Sequence, residues 1–386
     1  MLFTATDFLS LKLPPGICGL RHEVRAFLED QRARGRYRPH LGHGEFDPGF
    51  SEALGARGWI GMTWPRQYGG HERSYLERFV VTEELLAAAA PVAAHWFADR
   101  QTGPSLLRWG TEAQRRKYLP EIAAGRCYFA IGMSEPNSGS DLASVRTRAT
   151  QVAGGWLLNG QKVWTSWAHK AHAMFVLCRT SPLMEKKHEG LSQLIVDLKS
   201  PGVKIRPINF LNGEHHFNEV FLDDVFVPDD MVLGTIGQGW RQVTSELALE
   251  RSGPERYMNT LPLYFALIDA LKASGDRMAA HLIGTLLARF VSIRTMSLAI
   301  AAEFGRDVVP DLATEAALVK DIGTHFEREV TEACRSLMAC SPRLHSTSEL
   351  ERYLAEATIF APISTIRGGT TQILRGIIAK RLEAQQ

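Results

Sequence analysis

The chain has 386 residues, 45% hydrophobic and 22% charged, enough for two or three domains with well-buried cores. Its 44 basic and 42 acidic side chains leave a formal charge of +2, which gives no support to a nucleic-acid or anionic-membrane partner. The five cysteines are scattered without a Cys-x-x-Cys pair, as suits a reducing cytoplasm, and no uninterrupted run of about 18 apolar residues predicts a membrane span. The opening MLFTATDFLSLKLPPG lacks a basic stretch followed by a long apolar core, so no signal peptide is expected.

From about Leu20 to Ala123 the pattern is helical: Leu20, Val24, Phe27 and Leu28 recur at helix spacing, and Val80, Val81, Glu84, Leu85 and Ala88 do so again. Trp64-Pro65-Arg66-Gln67-Tyr68-Gly69-Gly70 is turn chemistry between helices. Gly110, Thr111 and Gln114 predict a helix start with a capping box, and Leu119-Pro120 is expected to close the helical region. After Cys127 the period changes. Trp156–Leu158, Asn159-Gly160 and Gln161–Trp164 read as a hairpin on a tight I′ turn. Further strands are expected at Met174–Arg179, Gln193–Asp197, Val203–Ile208 and Glu219–Val227, punctuated by Pro201-Gly202 and Asn212-Gly213. From Gly239 the chain is helical again, apart from a break near Ser341–Ser346. This order predicts an α+β chain: an N-terminal helical domain over 1–125, a central antiparallel β-barrel or sandwich over 126–234, and a C-terminal helical bundle over 235–386.

Three stretches carry chemistry. Ile131–Asp141, IGMSEPNSGSD, places Gly132, Ser134, Ser138, Gly139 and Ser140 around a Pro-Asn pair. Small residues let a backbone close on a flat or phosphorylated ligand, although the same composition makes a polar surface loop. On the helix from Gly239, Trp240, Val243 and Leu247 share a face that Glu250 continues. A carboxylate on an apolar stripe is expected to be desolvated and raised toward the range of a general base; the competing reading is a structural pair with Arg251. Gly368-Gly369 precedes Thr370-Thr371, an N-cap for a helix whose expected apolar face is Ile373, Ile377, Ile378 and Leu382. No metal site is expected: the 13 histidines show no ligand spacing, and His215 and His216 would face opposite sides of a strand.

Gly132–Ser144 resembles the first signature of the acyl-CoA dehydrogenase family, and the WP…YGG, GT-E-Q…LP and Gly237–Trp240 segments resemble further landmarks, covering Leu20 to Leu382. The resemblance implies FAD as cofactor, an acyl-CoA substrate, an electron-transfer flavoprotein as electron acceptor, and a homo- or hetero-oligomer. It places Ile131, Met133 and Ser134 along the flavin ring, Gly139 and Ser140 toward the pyrophosphate, and Trp164 and Ser166 over the ring near N5. Thr370 and Gln372 match cofactor contacts from the C-terminal domain, and Ser140 and Arg251 match substrate contacts. The glutamate that relatives carry before the C-terminal Gly-Thr is Gly368 here, so the base falls to Glu250, in the Leu-Glu-Arg pattern of the isovaleryl- and long-chain-type enzymes. Gly368 then implies a backbone N–H donor to the thioester carbonyl. Asp99 and Arg100 match positions that approach the acyl tail.

The chain departs from the family in three places. The Arg-x-x-Phe-Gly and Gln-x-x-Gly-Gly-x-Gly segments that hold a neighbouring subunit's FAD are missing. Phe304-Gly305-Arg306 lacks the preceding arginine, and Cys334–Pro342 occupies the place of the glycine-rich run. Trp167 stands where relatives have a small residue or asparagine. These departures keep a non-catalytic partner subunit among the readings, beside an acyl-CoA oxidase and an acyl-carrier dehydrogenase on the same fold.

Overall fold

The computed structural model describes residue 13 and residues 15–42, 45–183, 185–306 and 311–384, with all their side chains except those of 246–249. The first twelve residues, where no signal peptide is expected, lie outside it. Contacts divide the chain into two compact units. A helical unit comprises Met1–Glu45, Arg73–Val92 and Ala248–Gln386; a sheet unit comprises Phe46–Glu72 and Ala93–Leu247.

The early helices are α1 (Ile17–Ala33), α2 (Pro48–Ala56), α3 (Tyr75–Ala87), α4 (Ala93–Phe97), α5 (Gly103–Trp109) and α6 (Glu112–Ala123). The capping box expected at Thr111 is present: Gln114 N donates to Thr111 Oγ1 at 3.2 Å, and Thr111 N donates to Gln114 Oε1 at 3.1 Å. Gln114 Nε2 also donates to the carbonyls of Asp230 and Val232, at 2.7 and 2.8 Å, so the cap ties α6 to the end of the sheet. Leu119-Pro120 does not stop the helix. Proline lacks an N–H but keeps its carbonyl, which accepts from Ala124 N at 3.0 Å, and one more turn closes. Between α4 and α5 the backbone widens into a π-helical turn, Ala98–Thr102.

The sheet contains β1 (Phe129–Gly132), β2 (Arg148–Val152), β3 (Gly155–Ser166), β4 (Ala173–Arg179), β5 (Leu191–Asp197), β6 (Val203–Asn209), β7 (His215–Pro228) and β8 (Val232–Leu233). Its order is β6-β7-β3-β2-β4-β5-β8, with β1 paired to β4. Pairing is antiparallel except for β1 with β4 and a single β2–β4 register pair. Leu158, Met174, Val176, Leu194, Val196, Val220 and Val225 bury its inner face.

One expected turn is a bulge. Asn159-Gly160 lies inside the unbroken strand β3, where the register against β7 shifts between Leu158 and Gly160. Thr147 crosses there so closely that a Cβ on residue 160 would lie 2.4 Å from its Oγ1. The hairpin turn itself is Ala153-Gly154, between β2 and β3.

The later helices are α7 (Gly239–Ser252), α8 (Leu261–Leu271), α9 (Arg277–Glu303), α10 (Ala313–Leu337), α11 (Glu349–Ser364) and α12 (Thr371–Glu383). Within the sheet unit, Val243 and Trp240 of α7 pack with Val145, Leu177 and Leu191. In the helical unit, α10 buries Ala316, Val319, Phe326 and Val330, and α9 carries Arg294, which pairs with Glu83 at 2.6 Å. Among the described residues α9 alone is long and apolar enough to cross a membrane by length and composition, although no uninterrupted apolar run marks it in the sequence. The expected apolar face of α12 is not the one buried: Ile373 and Leu382 are exposed and Leu374 points inward.

Thr111→Ala removes the α6 cap and is expected to lower stability by about 1 kcal/mol. Thermal unfolding followed by circular dichroism checks this, and an unchanged midpoint would remove the cap from the account.

Candidate active site

In the sheet unit, Ile131–Asp141 leaves β1 as a tight loop. Glu135 N donates to Ser138 O at 2.9 Å and Ser138 N to Glu135 O at 3.0 Å, so Pro136-Asn137 forms the tip. A second bond joins the loop to β3, from Val163 N to Ser134 O at 2.9 Å. The anchor is Lys162, which has no solvent exposure. Its Nζ donates to Met133 O and to Glu135 Oε1, both at 2.9 Å. Glu135 also accepts from Arg146 N at 2.6 Å and Thr147 N at 2.9 Å. Burial drives the Lys162 ammonium below its ordinary value, and the nearby glutamate opposes that shift. Burial alone would raise Glu135, but Lys162 and the backbone donors hold it low.

Two residues beyond Lys162 the strand shifts register again, and Trp164 takes φ 60°, a strained conformation for a bulky side chain. Its ring is 57% exposed and meets Phe217 edge-on, with 5.9 Å between centroids. Ile131, Met133, Ser134 and Ser166 are partly exposed, while Gly139 and Ser140 are exposed on the loop. An exposed indole beside small polar residues on an anchored loop fits a flat, hydrogen-bonding ligand. Trp167 stacks on His216 with centroids 4.6 Å apart. Asp99 and Arg100 are buried in the π-helical turn. Asp99 Oδ1 accepts from Gly61 N at 2.8 Å, and the Arg100 guanidinium lies 4.6 Å from the Trp96 ring centroid.

In the helical unit, Glu250 does not lie on an apolar surface. Its Oε1 accepts from Arg256 Nη2 at 2.7 Å, and Arg256 Nε donates to its backbone carbonyl at 2.8 Å. Trp240 and Val243 join an apolar cluster of which Glu250 is not a part, and the side chain of Leu247 lies outside the described residues. A Glu–Arg pair is indeed present, but its arginine is Arg256. Arg251 Nε donates instead to Gly368 O at 3.0 Å, and Lys320 Nζ donates to Gly369 O at 2.8 Å.

The two glycines have φ of 66° and 100°, backbone that side-chain-bearing residues rarely adopt. A Cβ on residue 368 would stand 2.6 Å from Glu250 Oε1, 3.2 Å from Lys320 Cε and 3.3 Å from Arg256 Nη2. Three charged side chains thus converge on Gly368, closely enough that a side chain there would collide with the Glu250 carboxylate. Burial and then Arg256 lower Lys320 to about 7, and burial and Arg256 lower Arg367 to about 10. Thr370 caps α12, its Oγ1 accepting from Ile373 N at 3.4 Å, and Gln372 is exposed on that helix.

Arg256, Lys320 and Arg367 do not figure in the sequence expectations. Arg256 follows the Gly253-Pro254 break, beyond helical periodicity. Lys320 and Glu327 carried a readable signal, two charges seven residues apart on the buried face of α10.

Residues 19–126 match the family model described as acyl-CoA dehydrogenase, N-terminal domain, and residues 130–225 match the corresponding middle domain. The chain is 33% identical over 396 residues to acyl-CoA dehydrogenase IpdE1 of Mycolicibacterium smegmatis, covering 97% of this chain and 92% of that protein. The chain belongs to the acyl-CoA dehydrogenase family. Acyl-CoA dehydrogenase FadE29 of Mycobacterium tuberculosis is 33% identical over 336 residues, covering 84% of this chain and 85% of that protein. Among solved structures, the Tcur3481-Tcur3483 steroid ACAD superposes with a TM-score of 0.84 at 27% identity, covering 97% of this chain and 99% of that one. The ChsE4-ChsE5 complex from Mycobacterium tuberculosis superposes with a TM-score of 0.80 at 26% identity, covering 97% and 98%. The family consists of FAD-dependent oxidoreductases, and its α+β order of helices, sheet and helices is the order found here.

Two substitutions test the geometry. Lys162→Met leaves the Glu135 carboxylate buried without its cation and is expected to cost about 3–5 kcal/mol; denaturant unfolding measures it, and a loss below about 1 kcal/mol would make the pair dispensable. Gly368→Ala forces an unfavourable φ, costing about 1–2 kcal/mol, and displaces the Glu250 carboxylate. A crystal structure of the variant with Glu250 unmoved would contradict the contact.

Proposed function

We propose that this chain dehydrogenates an acyl-CoA thioester to the trans-2-enoyl-CoA, with Glu250 as the base. The supporting observation is the convergence of Glu250, Arg256 and Lys320 on Gly368. Glycine at this position keeps the carboxylate and the turn's backbone close together, with no side chain between Glu250 and the N–H proposed to face a thioester oxygen. We read the chain in the three parts 1–125, 126–234 and 235–386.

FAD would be held by Ile131, Met133, Ser134, Gly139, Ser140, Trp164 and Ser166, with Thr370 and Gln372 from α12 and the turn before it. When bound, it supplies the oxidant that takes the β-hydrogen with its electron pair. The chain's own residues do the rest. Glu250 accepts the α-proton at its carboxylate as the α-carbon bond breaks, and the two carbons are left doubly bonded. Arg256 fixes that carboxylate by grasping both its Oε1 and the backbone carbonyl behind it. Gly368 N–H donates to the thioester oxygen as charge develops there. Arg251 holds the turn that carries this N–H and borders the substrate with Ser140. Asp99 and Arg100 are assigned to the acyl-tail side, which favours a polar or bulky acyl group.

We assign the protein to the cytoplasm, with an electron-transfer flavoprotein as acceptor. A second reading has one supporting observation. Where relatives carry a glycine-rich run, α10 continues through buried Cys334 to Leu337 and a loop follows. The adenine side of FAD would then be completed by an unlike subunit, as the paired names of the two solved relatives suggest.

Purified alone, the chain is expected to be yellow and to bleach anaerobically with one class of acyl-CoA. Glu250→Gln should keep the colour while flavin reduction slows by about a thousandfold. Unchanged bleaching would overturn Glu250 as base. Colourless folded protein that gains FAD only with an unlike subunit would establish the second reading.

A further inference from the structure

We infer that Lys320 is a positioning residue that locks the Gly368-Gly369 turn through Gly369 O and so holds still the backbone from which Gly368 N–H is presented. The inference rests on the proposed role of Gly368 and adds a residue to it. Lys320 lies on α10, far from the turn in sequence, and is fully buried. Its ammonium donates to Gly369 O at 2.8 Å, while Arg251 Nε holds Gly368 O at 3.0 Å. Each carbonyl of the glycine pair is therefore held by a separate cation.

Planar trans peptide units transmit this to the opposite edge. A carbonyl fixed on one side sends the N–H of the same unit to the other. Arg251 thus aims Gly369 N–H, and Lys320 aims Thr370 N–H, away from the cations, and with both units fixed the Gly368 N–H of the preceding unit is left a single soft rotation, about its own N–Cα bond. Without side chains, the two glycines have a wide choice of backbone states, so the turn needs such external restraint. The charge matters as well, because the Lys320 ammonium interacts electrostatically with the Glu250 carboxylate.

The charged groups around Lys320 define its titration. Burial has the largest effect and lowers it; Arg256, Arg367 and Arg251 lower it further, and Glu250 alone opposes them. On its own helix, Asp321 is taken up by Arg375 of α12 at 3.0 Å. The ordinary lysine value falls to about 7. As pH rises through that value the ammonium loses its proton, and a charge-assisted hydrogen bond becomes a weaker neutral one. The lock is strong below this point and loosens above it.

The test uses Lys320→Met and Lys320→Arg in the full chain, loaded with FAD and with its partner subunit if one is required. Hydrogen exchange of the 367–373 segment, measured without substrate, is expected to quicken about tenfold or more in Lys320→Met. Its kcat should fall about tenfold with KM little changed, as when a donor is misplaced. Wild-type kcat should show an alkaline limb near 7 that Lys320→Arg, permanently charged, lacks while keeping the exchange protection. If Lys320→Met does not fold, wild-type exchange of the segment, corrected for intrinsic rates, must still quicken as pH rises through about 7. Unchanged exchange in Lys320→Met, or an alkaline limb retained in Lys320→Arg, would overturn the inference. Failure of the proposed function appears elsewhere, as bleaching in Glu250→Gln, and leaves the exchange measurement valid.

Discussion

A single buried ammonium holds the Ile131–Asp141 loop of the sheet unit in shape. Lys162 bonds to a loop carbonyl and a loop carboxylate at once, and that carboxylate also collects two backbone N–H groups. Every charge in the group has a partner, which is the condition for burying ions without a large penalty. The same strand carries Trp164 two residues on, so loop and indole share one rigid support. The strained φ of that tryptophan persists because the register shift beside it leaves the backbone no ordinary alternative.

The helical unit follows a different rule. Around Gly368 the cations outnumber the carboxylates: Arg251, Arg256, Lys320 and Arg367 gather about Glu250, with Glu327 and Glu255 beyond. Such an excess is costly for the protein alone and becomes favourable once negative charge arrives. Glu327 is raised above its ordinary value by burial, despite Arg367 and the bonds it accepts from Asn259.

The sequence revealed the parts of this arrangement that depend on residue type at short spacing. The order of helices and strands, the Thr111 capping box and the glycine pair were readable because each is local. The Asn159-Gly160 error shows the limit. The dipeptide favours a tight turn, but a strand pairing on both edges overrides the local preference and uses the glycine to admit Thr147. Glu250 stands out in the sequence as a carboxylate on an apolar helix face, but its neighbours do not. Arg256 returns to it across a Gly-Pro break, and Lys320 and Gly368 approach from segments distant in sequence. Periodicity describes one helix at a time. It cannot say which other element will face it.

The π-helical turn at Ala98–Thr102 also constrains how the chain can vary. It places one more residue in the turn than an α-helix would, and α5 begins directly after it with Gly103. At that position a Cβ would lie 2.0 Å from the Trp64 ring, so only glycine fits. Deleting one residue from the turn would rotate all of α5 by about 100°. A side chain would then replace Gly103 against the indole. The length of this turn and the size of residue 64 are thus coupled: a shorter turn would fit only over a smaller side chain at that position.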